Sequence, residues 1–140
     1  GLRALEARRI VLVTPYIAAT NEAERAFLEG HGFAVVGLRG LGLTSGNAYT
    51  EVEPAAWYRI VREAARPEAD AILVSCTNIR VLDAIAPLEA DLRRPVVTSN
   101  QAALWYCLRR LHLADRIAGY GRLLAEVTAL PEPEPVGASP

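Results

Sequence analysis

The chain reads as short apolar runs alternating with longer stretches whose apolar residues recur at helical spacing. Arg9-Ile10-Val11-Leu12-Val13-Thr14 is apolar and β-branched, as in a strand buried on both faces. It stops at Pro15-Tyr16, which breaks regular structure. Asn21 is then expected to cap a helix, with Glu24 as its capping-box partner and Ala23, Ala26, Phe27 and Gly30 facing inward. Gly30 and Gly32 should end that helix. Phe33-Ala34-Val35-Val36-Gly37-Leu38 is the second strand. Residues 39–53 form a loop with Gly40, Gly42 and Gly46; at about fifteen residues it is long for a compact domain, and such loops often carry function.

Pro54 opens the next helix, where its missing N–H costs nothing. Trp57, Ile60, Val61, Ala64 and Ala65 form its apolar face, and Pro67 closes it. Residues 71–76 are a third strand. A helix follows with Leu82, Ile85, Leu88 and Leu92 inward and a kink at Pro87. Pro95-Val96-Val97-Thr98-Ser99 is the fourth strand. Ser99 or Asn100 should cap the helix after it, with a buried stripe of Ala103, Leu104, Cys107, Leu108 and Leu111. A last helix is expected over residues 115–130. Residues 131–140, Pro-Glu-Pro-Glu-Pro-Val-Gly-Ala-Ser-Pro, are too polar and proline-rich to pack and are expected to be disordered.

Strands that alternate with helices predict an α/β fold with a parallel sheet, right-handed crossovers and helices on both faces. The simplest arrangement is flavodoxin-like, strand order 2-1-3-4, in one domain over residues 1–130. Leu2 to Glu6 reads as the tail of a helix or an interdomain connector.

Composition narrows the function. The chain has 140 residues, 51% of them hydrophobic, and a net charge of −1. That balance suits a globular domain with a real core and gives nucleic acid or an acidic membrane no electrostatic reason to bind. No apolar run approaches the ~20 residues needed to span a bilayer. With only Cys76 and Cys107 there is no disulfide scaffold, and a reducing cytoplasm is the expected compartment. There is no methionine and the first residue is Gly1, so we expect the chain to be part of a longer protein.

The predicted topology brings three polar segments to the carboxyl ends of the central strands, where open α/β sheets bind ligands. They are Thr14-Pro15-Tyr16, Ser75-Cys76-Thr77-Asn78 and Thr98-Ser99-Asn100-Gln101. Hydroxyls, amides and backbone N–H groups of this kind can cradle a small carboxylate without lysine. Some of these residues serve as helix caps, and a buried cysteine is more often packing than chemistry. Capping does not account for a cysteine and a tyrosine in the same cluster. At the end of strand three, Cys76 is placed to act as nucleophile or proton carrier, with the N–H groups of Thr77 and Asn78 beside it. The helix after it would bring its positive end near the sulfur and favour the thiolate. His31 and His112 sit near helix ends, where a cation meets the negative end of the dipole. Trp57 and Trp105 read as packing anchors. The glycines fit neither a dinucleotide fingerprint nor a P-loop, and no residues have metal-ligand spacing.

Six segments occur together in one known group: Val13-Thr14-Pro15-Tyr16, Asn21-Glu22, Gly40-Leu41-Gly42-Leu43, Ser75-Cys76-Thr77-Asn78-Ile79-Arg80, Pro95-Val96-Val97-Thr98-Ser99-Asn100-Gln101-Ala102 and Gly119-Tyr120-Gly121-Arg122-Leu123-Leu124. On these the chain resembles the maleate cis-trans isomerase and arylmalonate decarboxylase family, within the aspartate/glutamate/hydantoin racemase superfamily. The resemblance runs from about Leu2 to Leu124.

It implies two similar α/β halves with the active site in the cleft between them, no cofactor, and a catalytic cysteine on each half. This chain would be the C-terminal half, with the N-terminal half missing. Cys76 would be the second-half catalytic cysteine, giving or taking a proton on a small carboxylate or dicarboxylate. Tyr16 would bind a substrate carboxylate, with N–H groups of Cys76 and Thr77 helping to hold it or an enolate-like intermediate. Asn47 would bind the other carboxylate. From the strand-end cluster, Thr14, Thr77, Asn78, Ser99 and Asn100 complete the expected substrate-binding set. A maleate isomerase-like reaction is the first reading. Arylmalonate decarboxylase-like and Asp/Glu racemase-like enzymes are alternatives, as is a branch associated with ectoine breakdown. Arylmalonate decarboxylases carry glycine after the cysteine, and this chain carries Thr77. A non-catalytic carboxylate-binding module is the alternative of another class. The oligomeric state is left open, a homo-oligomer included.

Overall fold

The computed structural model describes residues 1–131. Its centre is β1 (Arg9–Thr14), with β2 (Ala34–Gly40) on one side and β3 (Ala71–Val74) then β4 (Val96–Thr98) on the other. All three pairings are parallel, and the order β2-β1-β3-β4 is the expected 2-1-3-4.

Successive side chains of a strand point to opposite faces. Val11 and Val13 of β1 therefore face one core with Ile72, Val74 and Val96, while Ile10 and Leu12 face the other with Ala71 and Val97. The first core is closed by α3 (Pro54–Ala64) and α4 (Leu82–Leu92) through Trp57, Val61, Ile85 and Leu88. The second is closed by α1 (Ala18–Gly30), α5 (Ser99–Arg110) and α6 (Arg122–Glu126) through Leu28, Trp105, Leu123 and Leu124. Both tryptophans are buried, as expected of anchors.

Several local expectations give way to tertiary contacts. Asn21 does not cap α1: the helix starts at Ala18 with no side-chain cap, and Asn21 lies buried inside its first turns. Of the expected inward face, Ala23 and Ala26 are exposed and Phe27 is 62% exposed, because α1 covers the sheet mainly through Leu28. The 39–53 segment contains a short helix, α2 (Gly46–Glu51), capped by Ser45, whose hydroxyl accepts the Ala48 N–H at 3.3 Å. Leu82 is 45% exposed and Ala84 takes its inward place. The α4 helix runs through Pro87, which leaves the Asp83 carbonyl without its helical donor.

Thr98, not Ser99 or Asn100, caps α5, and Gln101 completes a capping box. The buried stripe of α5 is Gln101, Trp105 and Arg109. Cys107 is exposed and Leu111 is 68% exposed, one register away from the expected stripe. Arg109 replaces apolar contact by donating to the carbonyls of Leu113 and Asp115. The expected 115–130 helix is only α6, because Gly119 and Gly121 take φ of +87° and +88° and cannot continue a right-handed helix. Among the described residues no helix is long and apolar enough to cross a membrane. The tail expected to be disordered lies, from residue 132 onward, outside the described residues.

Candidate active site at the strand ends

Three loops meet beyond the carboxyl ends of β1, β3 and β4. The first follows β1. The Thr14 hydroxyl accepts the Tyr16 N–H at 3.1 Å and donates to Asn21 Oδ1. The Asn21 amide then donates to the Tyr16 carbonyl at 3.1 Å. Thr14 is fully buried, so it shapes the Tyr16 turn from beneath. The 41–43 segment locks the same turn: Leu41, Gly42 and Leu43 donate to the carbonyls of Thr14, Tyr16 and Pro15 at 3.0, 3.0 and 2.9 Å. This turn leaves no room beside Gly40, where a Cβ would meet the Tyr16 carbonyl oxygen at 2.9 Å and the Asn21 amide.

The second loop follows β3. The strand ends at Val74, two residues before Cys76, although Ser75 N–H still bonds the Val13 carbonyl at 2.9 Å. Cys76 is 6% exposed. Its sulfur accepts the Asn78 N–H at 3.3 Å. Its own N–H donates to Ser99 Oγ at 3.2 Å, so it is not available to cradle a ligand as expected. The Thr77 N–H has no protein partner among the described residues and is the open backbone donor. The helix expected to start beside the sulfur begins only at Leu82. The helix that reaches Cys76 is α5, through Ser99.

The third loop is the start of α5. Asn100 donates from its amide to the Thr77 carbonyl at 3.1 Å. Asn78 donates to the Gly46 carbonyl at 2.9 Å, tying α2 to the cysteine loop. On α2, Tyr49 sets its ring edge-on to Tyr16, with centroids 5.7 Å apart at 72°. Asn47 is exposed, and its carbonyl accepts the Thr50 hydroxyl at 2.8 Å.

Electrostatics single out Tyr16. Burial first, then the neighbouring Cys76 side chain, hold its phenol above the ordinary tyrosine value, with smaller contributions from Glu24 and Tyr49. The phenol therefore stays protonated and can donate to a thiolate or a carboxylate. The Tyr16 phenol, the Ser99 hydroxyl that accepts the Cys76 N–H, and the open Thr77 N–H lie around one buried thiol. That arrangement can bind a carboxylate without a cation and pass one proton. Among the described residues no group of three His, Cys, Asp or Glu could hold a metal ion.

Cys76, Tyr16, Thr77, Ser99 and Asn100 are thus brought together, and Asn78 joins α2 to them; Asn47 lies exposed on α2, and among the described residues its side chain makes no hydrogen bond to them. Sequence reasoning assigned no site role to Asn21, Gly40 and Tyr49, although Asn21 and Gly40 lie in segments that carry the resemblance. Asn21 carried a visible signal: a polar residue at the buried face of a helix that needs no cap.

The family described as arylmalonate decarboxylase matches residues 1–124. Arylmalonate decarboxylase of Bordetella bronchiseptica is 40% identical over 90% of this chain and 54% of its own length. A maleate isomerase structure from Pseudomonas putida S16 with maleate superposes with a TM-score of 0.86 at 30% identity, covering 89% of this chain and 50% of that one. A Nocardia farcinica maleate cis-trans isomerase, in a cysteine-to-serine variant with a covalently bound succinylcysteine intermediate, gives 0.85 at 30%, over 88% and 51%. The chain spans about half the length of the curated relatives it matches and corresponds to their C-terminal half. Over that half the sequence match, the strand order and the superposition agree: the chain belongs to the arylmalonate decarboxylase family.

Proposed function

We propose that this chain is the C-terminal half of a cofactor-independent isomerase acting on a small dicarboxylate, with Cys76 as proton donor and acceptor. The observation that carries the reading is the buried Cys76 sulfur, hydrogen-bonded by the Asn78 N–H and flanked by the protonated Tyr16 phenol. The maleate bound in one similar structure and the succinylcysteine in another support the substrate class and the use of a thiol.

In this reading a cysteine of the N-terminal half adds to one alkene carbon of a cis-dicarboxylate. A C–S bond forms, and the Cys76 S–H gives its proton to the neighbouring carbon. Rotation about the resulting single bond follows. The Cys76 thiolate then removes a proton, the C–S bond breaks, and the double bond re-forms in the trans geometry. Tyr16, the Thr77 N–H and the Ser99 hydroxyl hold one carboxylate, and Asn47 reaches the other. Thr14 and Asn100 position these donors, and Asn78 fixes the sulfur. A free thiol in this role suits a reducing compartment such as the cytoplasm.

The higher identity to the arylmalonate decarboxylase favours a second reading. There the bond to one carboxylate of a malonate breaks, carbon dioxide leaves, and the electron pair enters an enediolate held by the same donors. Cys76 protonates the α-carbon and solvent restores its proton. Both readings make the isolated chain inactive or nearly so, since one wall of the site is absent.

The test joins this chain to the N-terminal half of a maleate isomerase relative and follows maleate loss and arylmalonate decarboxylation. Dicarboxylate binding to the chain itself is followed by NMR shifts at Tyr16, Thr77 and Ser99. We expect binding, turnover of one substrate in the joined protein, and loss of turnover in Cys76→Ala. Binding without turnover would make the chain a carboxylate-binding module. Absence of binding, or full turnover by the chain alone, overturns the proposal.

A further inference from the structure

Residue 78 makes two bonds in opposite directions. Its backbone N–H holds the Cys76 sulfur at 3.3 Å, and its side-chain amide holds the Gly46 carbonyl at the first turn of α2 at 2.9 Å. The approach is close: a Cβ at Gly46 would lie 3.2 Å from the Asn78 amide nitrogen. Among the described residues the other polar tie between the 41–53 segment and the cysteine loop is the Arg80–Glu53 ion pair at 2.8 Å, with both side chains more than half exposed. Pairs that exposed contribute little and are screened by salt. Asn78 is therefore the fixed point between α2 and the cysteine loop, and α2 carries Tyr49 onto Tyr16.

We propose that Asn78 is a positioning residue that latches α2 over the site, so that seating of the 41–53 segment and orientation of the Cys76 sulfur are one event. The inference rests on Cys76 being the reacting group, as above. With α2 docked, the amide bond to Gly46 fixes the Asn78 backbone and aims its N–H at the sulfur. With α2 released, that backbone turns freely, the N–H leaves the sulfur, and the thiol opens to solvent. A substrate that contacts Asn47 on α2 therefore also sets the thiol.

The test is alkylation of the 140-residue chain with iodoacetamide at fixed pH, read by peptide mapping. The exposed Cys107 is the internal reference for the buried Cys76. In Asn78→Ala and in Asn78→Leu, which keeps the bulk without the donor, the Cys76:Cys107 labelling ratio should rise about five-fold, the opening expected for loss of one neutral hydrogen bond. Gly46→Ala should raise it too, although alanine favours the helix, because the added methyl presses on the latch. Asp70→Asn, at the opposite end of the strands, should leave the ratio unchanged. A ratio within two-fold of the parent in all three latch variants overturns the proposal, as does an equal rise in Asp70→Asn. Turnover is scored separately in the joined protein. An unchanged ratio with Cys76-dependent turnover removes the latch and leaves the reaction standing. A raised ratio without turnover keeps the latch and removes the reaction.

Discussion

Gln101→Ala would remove the bonds that hold the start of α5 at two ends. Gln101 is buried at the third position of the helix. Its Oε1 accepts the Thr98 N–H at 2.9 Å, and its Nε2 donates to the Tyr120 carbonyl. Alanine keeps the backbone bond from residue 101 to Thr98 Oγ1, at 3.2 Å, and loses the other two. The Thr98 N–H is left unpaired in a buried position and the Tyr120 carbonyl loses its donor. One unsatisfied buried group costs about 1–3 kcal/mol, so the pair should cost about 3 kcal/mol. With a urea slope of roughly 2 kcal/mol/M, the unfolding midpoint should fall by about 1.5 M. Because Ser99 follows Thr98 and accepts the Cys76 N–H, amide exchange at Cys76 should accelerate at the same time. Urea unfolding with hydrogen-exchange mass spectrometry reads both. A midpoint within ~0.3 M of the parent, with Cys76 protection unchanged, would refute the reasoning, since that shift is only about 0.6 kcal/mol, a fifth of the expected cost.

Other perturbations test the electrostatics and the packing around the site. Burial, opposed by the Val96 and Arg122 N–H bonds, raises the Glu89 carboxyl above its ordinary value of 4.5. Its favourable contribution is complete below 4.5 and is lost as pH rises through the raised value. Relative to Glu89→Gln, the parent should therefore lose stability across that interval in pH-dependent melts, whatever the constant difference from one lost acceptor. Asp70 behaves oppositely. The Arg9 side chain first, then the Arg9 and Arg8 N–H groups, lower it below 3.8. Its stabilisation should be full above 3.8 and disappear as pH falls below it, and Asp70→Asn should flatten that acid-side loss. Gly40→Ala should cost about 1–3 kcal/mol in thermal melts, as overpacking does, and should displace the Tyr16 ring resonances, because the added carbon meets the Tyr16 backbone and Asn21.

The sheet was legible because its strands are buried on both faces, and Arg9–Thr14 and Val96–Thr98 are therefore apolar whatever surrounds them. The convergence of Tyr16, Cys76 and Ser99 followed from strand order alone. Helix faces were less legible. The apolar residues of α1 and α5 do not all face the core: Phe27 and Leu111 point outward, while Asn21, Gln101 and Arg109 are buried because each satisfies backbone groups. Periodicity assumes that polar residues face water, and it fails where a polar side chain replaces a cap or closes a turn. The short α2 was hidden for a similar reason. Its sequence, Gly-Asn-Ala-Tyr-Thr-Glu, has no apolar stripe, and what holds it is Ser45 at its start and Asn78 from across the site.

Among the described residues the sheet ends on two edges, β2 and β4, and neither invites another chain. The β4 edge is only three residues long and passes at once into α5, too short to template pairing. The β2 edge is longer, but Val36 bulges out of register between Ile10 and Val11 of its neighbour, and Gly37, Arg39 and Gly40 follow. A bulge bends and twists an edge strand, glycine weakens it, and a charge on it opposes stacking. The irregularity at the margin of β2 is thus a safeguard against edge-to-edge aggregation in a protein that is half hydrophobic by composition.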